Sequence, residues 1–241
     1  VSSGSTTPKR TPHTGFTNHD PAEDGEDFKI LARSDYGNAA RLMYHYGEHI
    51  RYNYDRGRWY SWTGTRWEEQ PGSGGAVREY AKAIAARLPE NSEPDLNWKK
   101  KSLSAAGTSN TLTQTETDPR IAVKNQDFDN QPWELNTPGG IVNLRTGELT
   151  PSDPKKMHTR ITSATPDHNA DRTAWEDFLN TTFPEDQEMI SYVQRLAGYS
   201  MIGQVREHIL PFAFGSGGNG KSVFMDTVAT VLGDYAAPAP N

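Results

Sequence analysis

Toward its C-terminal end the chain carries Gly215-Ser216-Gly217-Gly218-Asn219-Gly220-Lys221-Ser222, a Gly-x-x-x-x-Gly-Lys-Ser spacing suited to holding a polyphosphate. A triphosphate is a bulky polyanion that backbone must approach closely. Glycines remove the side chains that would block that approach, and successive backbone N–H groups can then converge on the β-phosphate. In such a loop Lys221 reaches the β- and γ-phosphates and the Ser222 hydroxyl ligates Mg2+, so the expected cofactors are ATP and Mg2+. The plainer alternative is a glycine turn that happens to precede Lys-Ser. At average glycine usage the bare spacing arises by chance in roughly one chain of this length in a hundred. The flanks make chance less adequate. A strand-like apolar run (Ile209, Leu210, Phe212, Ala213, Phe214) precedes the loop, and helical periodicity (Val223, Phe224, Val228, Val231, Leu232) follows it.

Other residues with chemical potential are weaker candidates. Lys99, Lys100 and Lys101 could meet nucleic-acid phosphates, although three successive lysines are usually a solvated face. Trp59, Trp62 and Trp67 could stack single-stranded bases, but such a cluster is more often the core of a small sheet. His45, Glu48 and His49 lack the His-Glu-x-x-His order of a zinc helix, and Gly47 interrupts them. Asp167, His168, Asp171 and Arg172 form no nucleophile–base arrangement.

The elements that must position the loop follow from punctuation and period. Ser34-Asp35 starts a helix over 35–46, and Gly47 stops it. Aromatic runs at 50–54, 58–62 and 66–68, separated by Asp/Gly turns, predict a hairpin or a three-stranded meander. A helix is expected over 76–88 from Val77, Tyr80, Ala81, Ile84, Ala85 and Leu88. Residues 97–117 read as helical but weakly patterned, and 121–123 as a short strand. Residues 133–149 read as strand, turn, strand, turn, strand. Helices over 171–180 and 185–201 then lead to the final strand, loop and helix. The expected fold is α+β, a helical domain with short antiparallel strands and hairpins, followed by the first strand–loop–helix of an α/β, AAA+-like unit. The expected divisions are a disordered leader (1–27), a first domain (28–205) and the start of a second (206–241).

Composition excludes several classes. The 241 residues are 34 % apolar and 23 % charged, enough for a core, with a mean hydropathy of -0.81. Residues 1–27 are rich in Ser, Thr, Pro and Gly with Phe16 as their one aromatic, which points to disorder. Net charge is -6; the leader, with two bases against five acids, carries half of it. A globally basic DNA-binding surface is therefore absent, although a local basic groove is not excluded. There are no cysteines, so disulfides and thiolate metal sites are excluded. No apolar run is long enough for a membrane helix and no signal-peptide core is visible, which leads to the expectation of a cytoplasmic protein.

The loop with Asn219 before its last glycine resembles the Walker A motif of superfamily 3 helicases, and more specifically that of phage and plasmid primase-helicases of the poxvirus D5 type. The resemblance extends upstream through Phe128-Asp129, Pro132-Trp133, Leu135-Asn136, Gly140, Leu144-Arg145-Thr146-Gly147-Glu148-Leu149 and Thr159. It continues through Trp175, Phe178-Leu179, Tyr192, Gln194-Arg195, Gly198-Tyr199-Ser200, Gly203 and Glu207, and Gly233-Asp234-Tyr235 resembles the end of the family's first motor helix. Trp59, Trp62, Gly64, Arg66 and Trp67 resemble the aromatic hairpin that opens the D5 N-terminal domain. Gly139 and Asn143 depart from the pattern where Asn and Asp are usual.

The resemblance implies a collar or assembly domain over 28–205 ahead of a helicase ATPase. It implies single-stranded DNA as partner, a homo-oligomer that is a hexameric ring in the family, and association with a primase module. No membrane is implied. Asn241 lies 19 residues beyond Ser222, before any Walker B acids, sensor asparagine or arginine finger. The expectation is that the 241-residue chain alone does not hydrolyse ATP. The alternative is a non-catalytic oligomerisation or partner-binding module of a mobile-element replication protein.

Overall fold

The computed structural model describes residues 32–215 and 217–238. The leader expected over 1–27, the onset of order expected near Phe28, and Ser216 of the glycine loop lie outside the described residues. Helix α1 (Asp35–Tyr46) begins where the Ser34 hydroxyl accepts a hydrogen bond from the Gly37 N–H at 3.0 Å, a cap for one of the first-turn donors. A short 3-10 turn (Gly47–His49) then delivers the chain to the first sheet.

That sheet is the expected aromatic meander. Strand β1 (Ile50–Asn53) pairs antiparallel with β2 (Arg58–Trp62), and β2 with β3 (Trp67–Glu69), with Ile50 opposite Ser61 and Trp62 opposite Trp67. The β1–β2 turn is held by Asn53, whose side-chain oxygen accepts from the N–H groups of Asp55 and Arg56. The strand read at 121–123 is β4 (Ala122–Val123), and it joins β1 in parallel, giving the order β3-β2-β1-β4. A parallel partner needs a crossover; the β2–β3 meander and three helices lie between the two strands. These helices are α2 (Gly75–Ala86), α3 (Glu93–Leu103) and α4 (Ala105–Glu116). The single weak helix expected over 97–117 is thus two. Ser104 ends α3 in extended backbone and starts α4, its hydroxyl accepting from the Gly107 N–H at 3.0 Å.

The core between this sheet and α1, α2 and α4 contains Leu42, Met43, Ile50, Trp59, Val77, Ala81, Ile84, Leu112 and Ile121. The stacked rings of Tyr46 and Tyr80, 4.5 Å apart, close its edge. Each large side chain buried there contributes about 1.5–3 kcal/mol.

A second sheet, β5 (Glu134–Thr137), β6 (Gly140–Asn143) and β7 (Leu149–Thr150), is antiparallel in sequential order, as read from residues 133–149. It is tied to the first sheet by part-buried polar bonds. The Asn136 amide donates to the carbonyls of Thr65 (3.0 Å) and Arg160 (2.9 Å), and the Trp67 indole donates to the Pro154 carbonyl (2.8 Å). Beyond a loop come α5 (Thr173–Thr182), α6 (Gln187–Ser200) and α7 (Lys221–Leu232). They share a smaller core of Leu179, Ile190 and Val193, flanked by Trp175, Phe178, Phe183 and Phe224.

One expected element does not form. Residues 209–214 are neither strand nor helix, and Ile209, Leu210, Phe212 and Phe214 are all exposed. A strand is stabilised by a neighbour that takes its N–H and C=O groups, and no described segment pairs with this one. The described fold is therefore α+β, with seven helices and short strands that are antiparallel except for β1–β4; the strand of the expected α/β unit is not part of it. No helix among the described residues is long and apolar enough to cross a membrane.

Candidate phosphate-binding loop

Helix α7 starts at Lys221, so Lys221 and Ser222 occupy its first turn. The preceding Gly220, at φ 78°, lies in the left-handed region where a side chain is strained, and Gly218 is similar at φ 74°. The N-cap position of α7 is Gly220, which has no side chain to cap the helix. The N-cap hydroxyl that Ser34 and Ser104 supply to α1 and α4 thus has no counterpart at Gly220, and the first-turn N–H groups carry the positive end of the helix dipole.

The lysine spans the loop. Its Nζ donates to the Gly215 carbonyl at 3.1 Å and to the Asn219 side-chain oxygen at 2.5 Å. Residues 215, 219 and 221 are thereby brought together. Both acceptors are neutral; an anionic phosphate oxygen would be a stronger acceptor for the same ammonium. Ser222 is exposed on the helix, and Gly217 and Gly218 have open space where side chains would stand.

The loop is seated on α5. A Cβ on Gly220 would lie 2.7 Å from the Thr182 hydroxyl and 3.1 Å from the Phe178 ring, so the backbone passes too close for any larger residue. Trp175 stacks on Phe178 (centroids 5.3 Å apart) and on Phe224 of α7 (5.9 Å), holding the first turn of α7 against α5.

The far end of α7 is clamped to the second sheet and the strap behind it, a connection that the sequence did not reveal. Leu232 is buried, and the 3-10 turn Gly233–Tyr235 lies against residues 160–163. The Ser163 N–H donates to the Val231 carbonyl (3.0 Å) and the Asp234 N–H to the Ile161 carbonyl (3.1 Å). The Asp234 carboxylate accepts from the Ile161 N–H (3.2 Å) and pairs with Arg66. The Tyr235 hydroxyl accepts from the Asn136 N–H at 3.1 Å. Burial pushes the Tyr235 phenol up to about 12, and the nearby Asp129 carboxylate adds to the shift. Gly233-Asp234-Tyr235 was visible as a motif. Its partners lie about seventy to a hundred and seventy residues upstream, at separations no local pattern encodes.

The remaining candidates fall elsewhere. Lys99, Lys100 and Lys101 lie on α3, away from the loop in sequence. Lys99 pairs with Glu90 at 2.5 Å, Lys101 lies over the Trp98 ring at 5.2 Å, and Lys100 is exposed. Trp59 and Trp67 are buried, which selects the core reading for them, while Trp62 is half-buried against Trp67. Among the described residues no group of His, Asp and Glu is arranged to hold a metal ion, so His45, Glu48 and His49 make no such site.

Residues 39–184, from within α1 to just beyond α5, match the family described as D5 N terminal like. No curated protein matches the chain.

Proposed function

Because the chain belongs to the D5 N terminal like family, we propose that it is the N-terminal part of a phage-type replicative DNA helicase or primase-helicase, with an ATP-binding loop at residues 215–222. Family membership over 39–184 supports a role related to DNA replication. The observation that carries the nucleotide reading is the Lys221 ammonium drawn across the loop to Gly215 and Asn219, in the first turn of a helix whose N-cap is glycine. In the proposed complex the triphosphate takes the place of these neutral acceptors. The first-turn N–H groups contact the β-phosphate, and Ser222 contributes its hydroxyl to Mg2+.

The other proposed partners are single-stranded DNA, further copies of the same chain in a ring, and a primase module. A second reading, a non-catalytic assembly module, draws on the exposed apolar residues Ile209, Leu210, Phe212 and Phe214, which suit burial against another surface. The two separate on nucleotide affinity. Titration with MgATP is expected to give saturable binding that Lys221→Ala weakens at least about tenfold, the scale of a lost charged hydrogen bond. Absence of MgATP binding, or equal binding by Lys221→Ala, would reject the nucleotide reading.

A further inference from the structure

The Leu144-Arg145-Thr146-Gly147 turn plays no part in the phosphate loop, yet it presents an arginine in an unusual setting. The turn is closed by the Asn143 side-chain oxygen, which accepts from the Arg145 N–H at 2.9 Å, and by Gly147 at φ 76°. Arg145 then lies over the Trp133 ring, its guanidinium carbon 4.4 Å from the centroid. A second arginine, Arg206, reaches the same indole from the segment after α6, at 4.9 Å. That segment is fixed as well. The Tyr199 hydroxyl accepts from the N–H groups of Arg206 and Glu207 at 2.8 Å, and the Gly203 N–H donates to the Pro132 carbonyl at 3.0 Å.

Two cations are therefore brought to one aromatic plate by three separate segments. The two cation-to-centroid distances cap the separation of the guanidinium groups at their total, close enough to meet neighbouring charges on one ligand. Among the described residues neither arginine makes an ion pair, although Glu148 and Glu207 are close in sequence; Arg206 has only the Gln204 side-chain oxygen at 3.4 Å. Both are exposed, on a chain whose net charge is -6. Such a pair repels itself unless an anion joins it. Stacking engages the flat face of a guanidinium and leaves its N–H edge available for bidentate bonds to phosphate.

We infer that Trp133, Arg145 and Arg206 form a docking fork for the phosphodiester backbone of a nucleic-acid strand. Trp133 acts as the plate that holds two guanidinium edges outward. The fork reads charge and spacing, not base identity, because its donors are directed at phosphates. It lies apart from the lysine run on α3 and uses no residue of the glycine loop. The inference rests on the replication reading above.

The test is fluorescence anisotropy of a labelled oligothymidylate with the full chain, across a salt series, with a duplex and polyglutamate as further ligands. The unsubstituted chain is expected to bind the oligonucleotide with an affinity that falls with salt. Arg145→Ala/Arg206→Ala is expected to weaken binding about tenfold or more. It should also reduce the slope of log K against log salt by about 1.4 for a single strand or about 1.8 for a duplex, corresponding to two phosphate contacts. Far-UV circular dichroism checks folding, and Arg145→Gln/Arg206→Gln provides a milder pair with the same expected slope change. MgATP binding by both double variants is expected to stay at its original level, while Lys221→Ala alters MgATP binding alone. An unchanged oligonucleotide affinity and slope, or no binding by the unsubstituted chain, overturns the fork whatever the nucleotide result. Unchanged oligonucleotide affinity with lost polyglutamate affinity also overturns it, in favour of an acidic protein partner.

Discussion

Two helical bodies of unequal solidity flank the second sheet. The first, α1 to α4 with the four-stranded sheet, holds a core cluster of nine buried apolar residues; the cluster of the second, α5 to α7, has three. At about 1.5–3 kcal/mol per large side chain, the first core can offset much of its own ordering entropy, whereas the second cannot. The second body depends instead on an aromatic stack at one end of α7 and a hydrogen-bonded clamp at the other. The candidate phosphate loop belongs to this weaker body. Ligand-binding segments are commonly drawn from the low-stability part of a protein, where small energies can move them.

The comparison can be broken most severely in the first body. Trp67→Ala removes a fully buried indole and its bond to the Pro154 carbonyl. An expected loss of about 3–5 kcal/mol should appear as a lower midpoint in chemical denaturation with the whole chain affected. Leu179→Ala, in the second body, is expected to cost less, about 2–3 kcal/mol, because three residues and a partly open rim can relax around the gap. Its effect should appear as faster hydrogen exchange in α5 to α7 while α1, α2 and α4 stay protected. Equal loss of protection in both bodies would show a single cooperative unit.

The junction between the bodies provides smaller effects. Asn136→Ala deletes both amide bonds that tie β5 to Thr65 and Arg160, and leaves those part-buried carbonyls without the amide as donor. About 2 kcal/mol is expected, measured by denaturation. Tyr235→Phe removes one hydroxyl from the clamp and is expected to cost about 1 kcal/mol, read as faster proteolysis of the last turn of α7. This residue also sets a pH dependence. Its phenol is raised from the ordinary 10.0 to about 12 in the fold, so its contribution is complete below pH 10 and is lost as pH rises through about 12. Proteolytic release of the C-terminal segment should therefore rise over that window, and Tyr235→Phe should flatten the rise.

Much of the first body was legible because its signals are local. The Ser34 cap, Gly47 stop and aromatic runs locate α1 and the meander to within a residue or two, and the turns of 133–149 locate the second sheet. The parallel direction of β4 was not legible, since a two-residue strand carries no mark of its partner's direction. Ser104 concealed a helix break because a serine inside a polar helical run looks like any surface residue, whereas here it caps the next helix. The strand read at 209–214 failed for the opposite reason. Its apolar content describes what a buried strand needs, but no described segment is its neighbour. Of the candidate site, the helical periodicity after the loop located the start of α7 at Lys221. The seat on Phe178, the clamp at Asp234 and Tyr235, and the Arg145–Trp133–Arg206 fork depend on separations that no motif spans.

The most direct test of the nucleotide reading is hydrogen exchange of the full chain with and without MgATP. The account predicts slower exchange confined to residues 217–224, the loop and the first turn of α7, with no such protection in Lys221→Ala. Unchanged exchange there at saturating MgATP, or protection that appears elsewhere and survives Lys221→Ala, would contradict it.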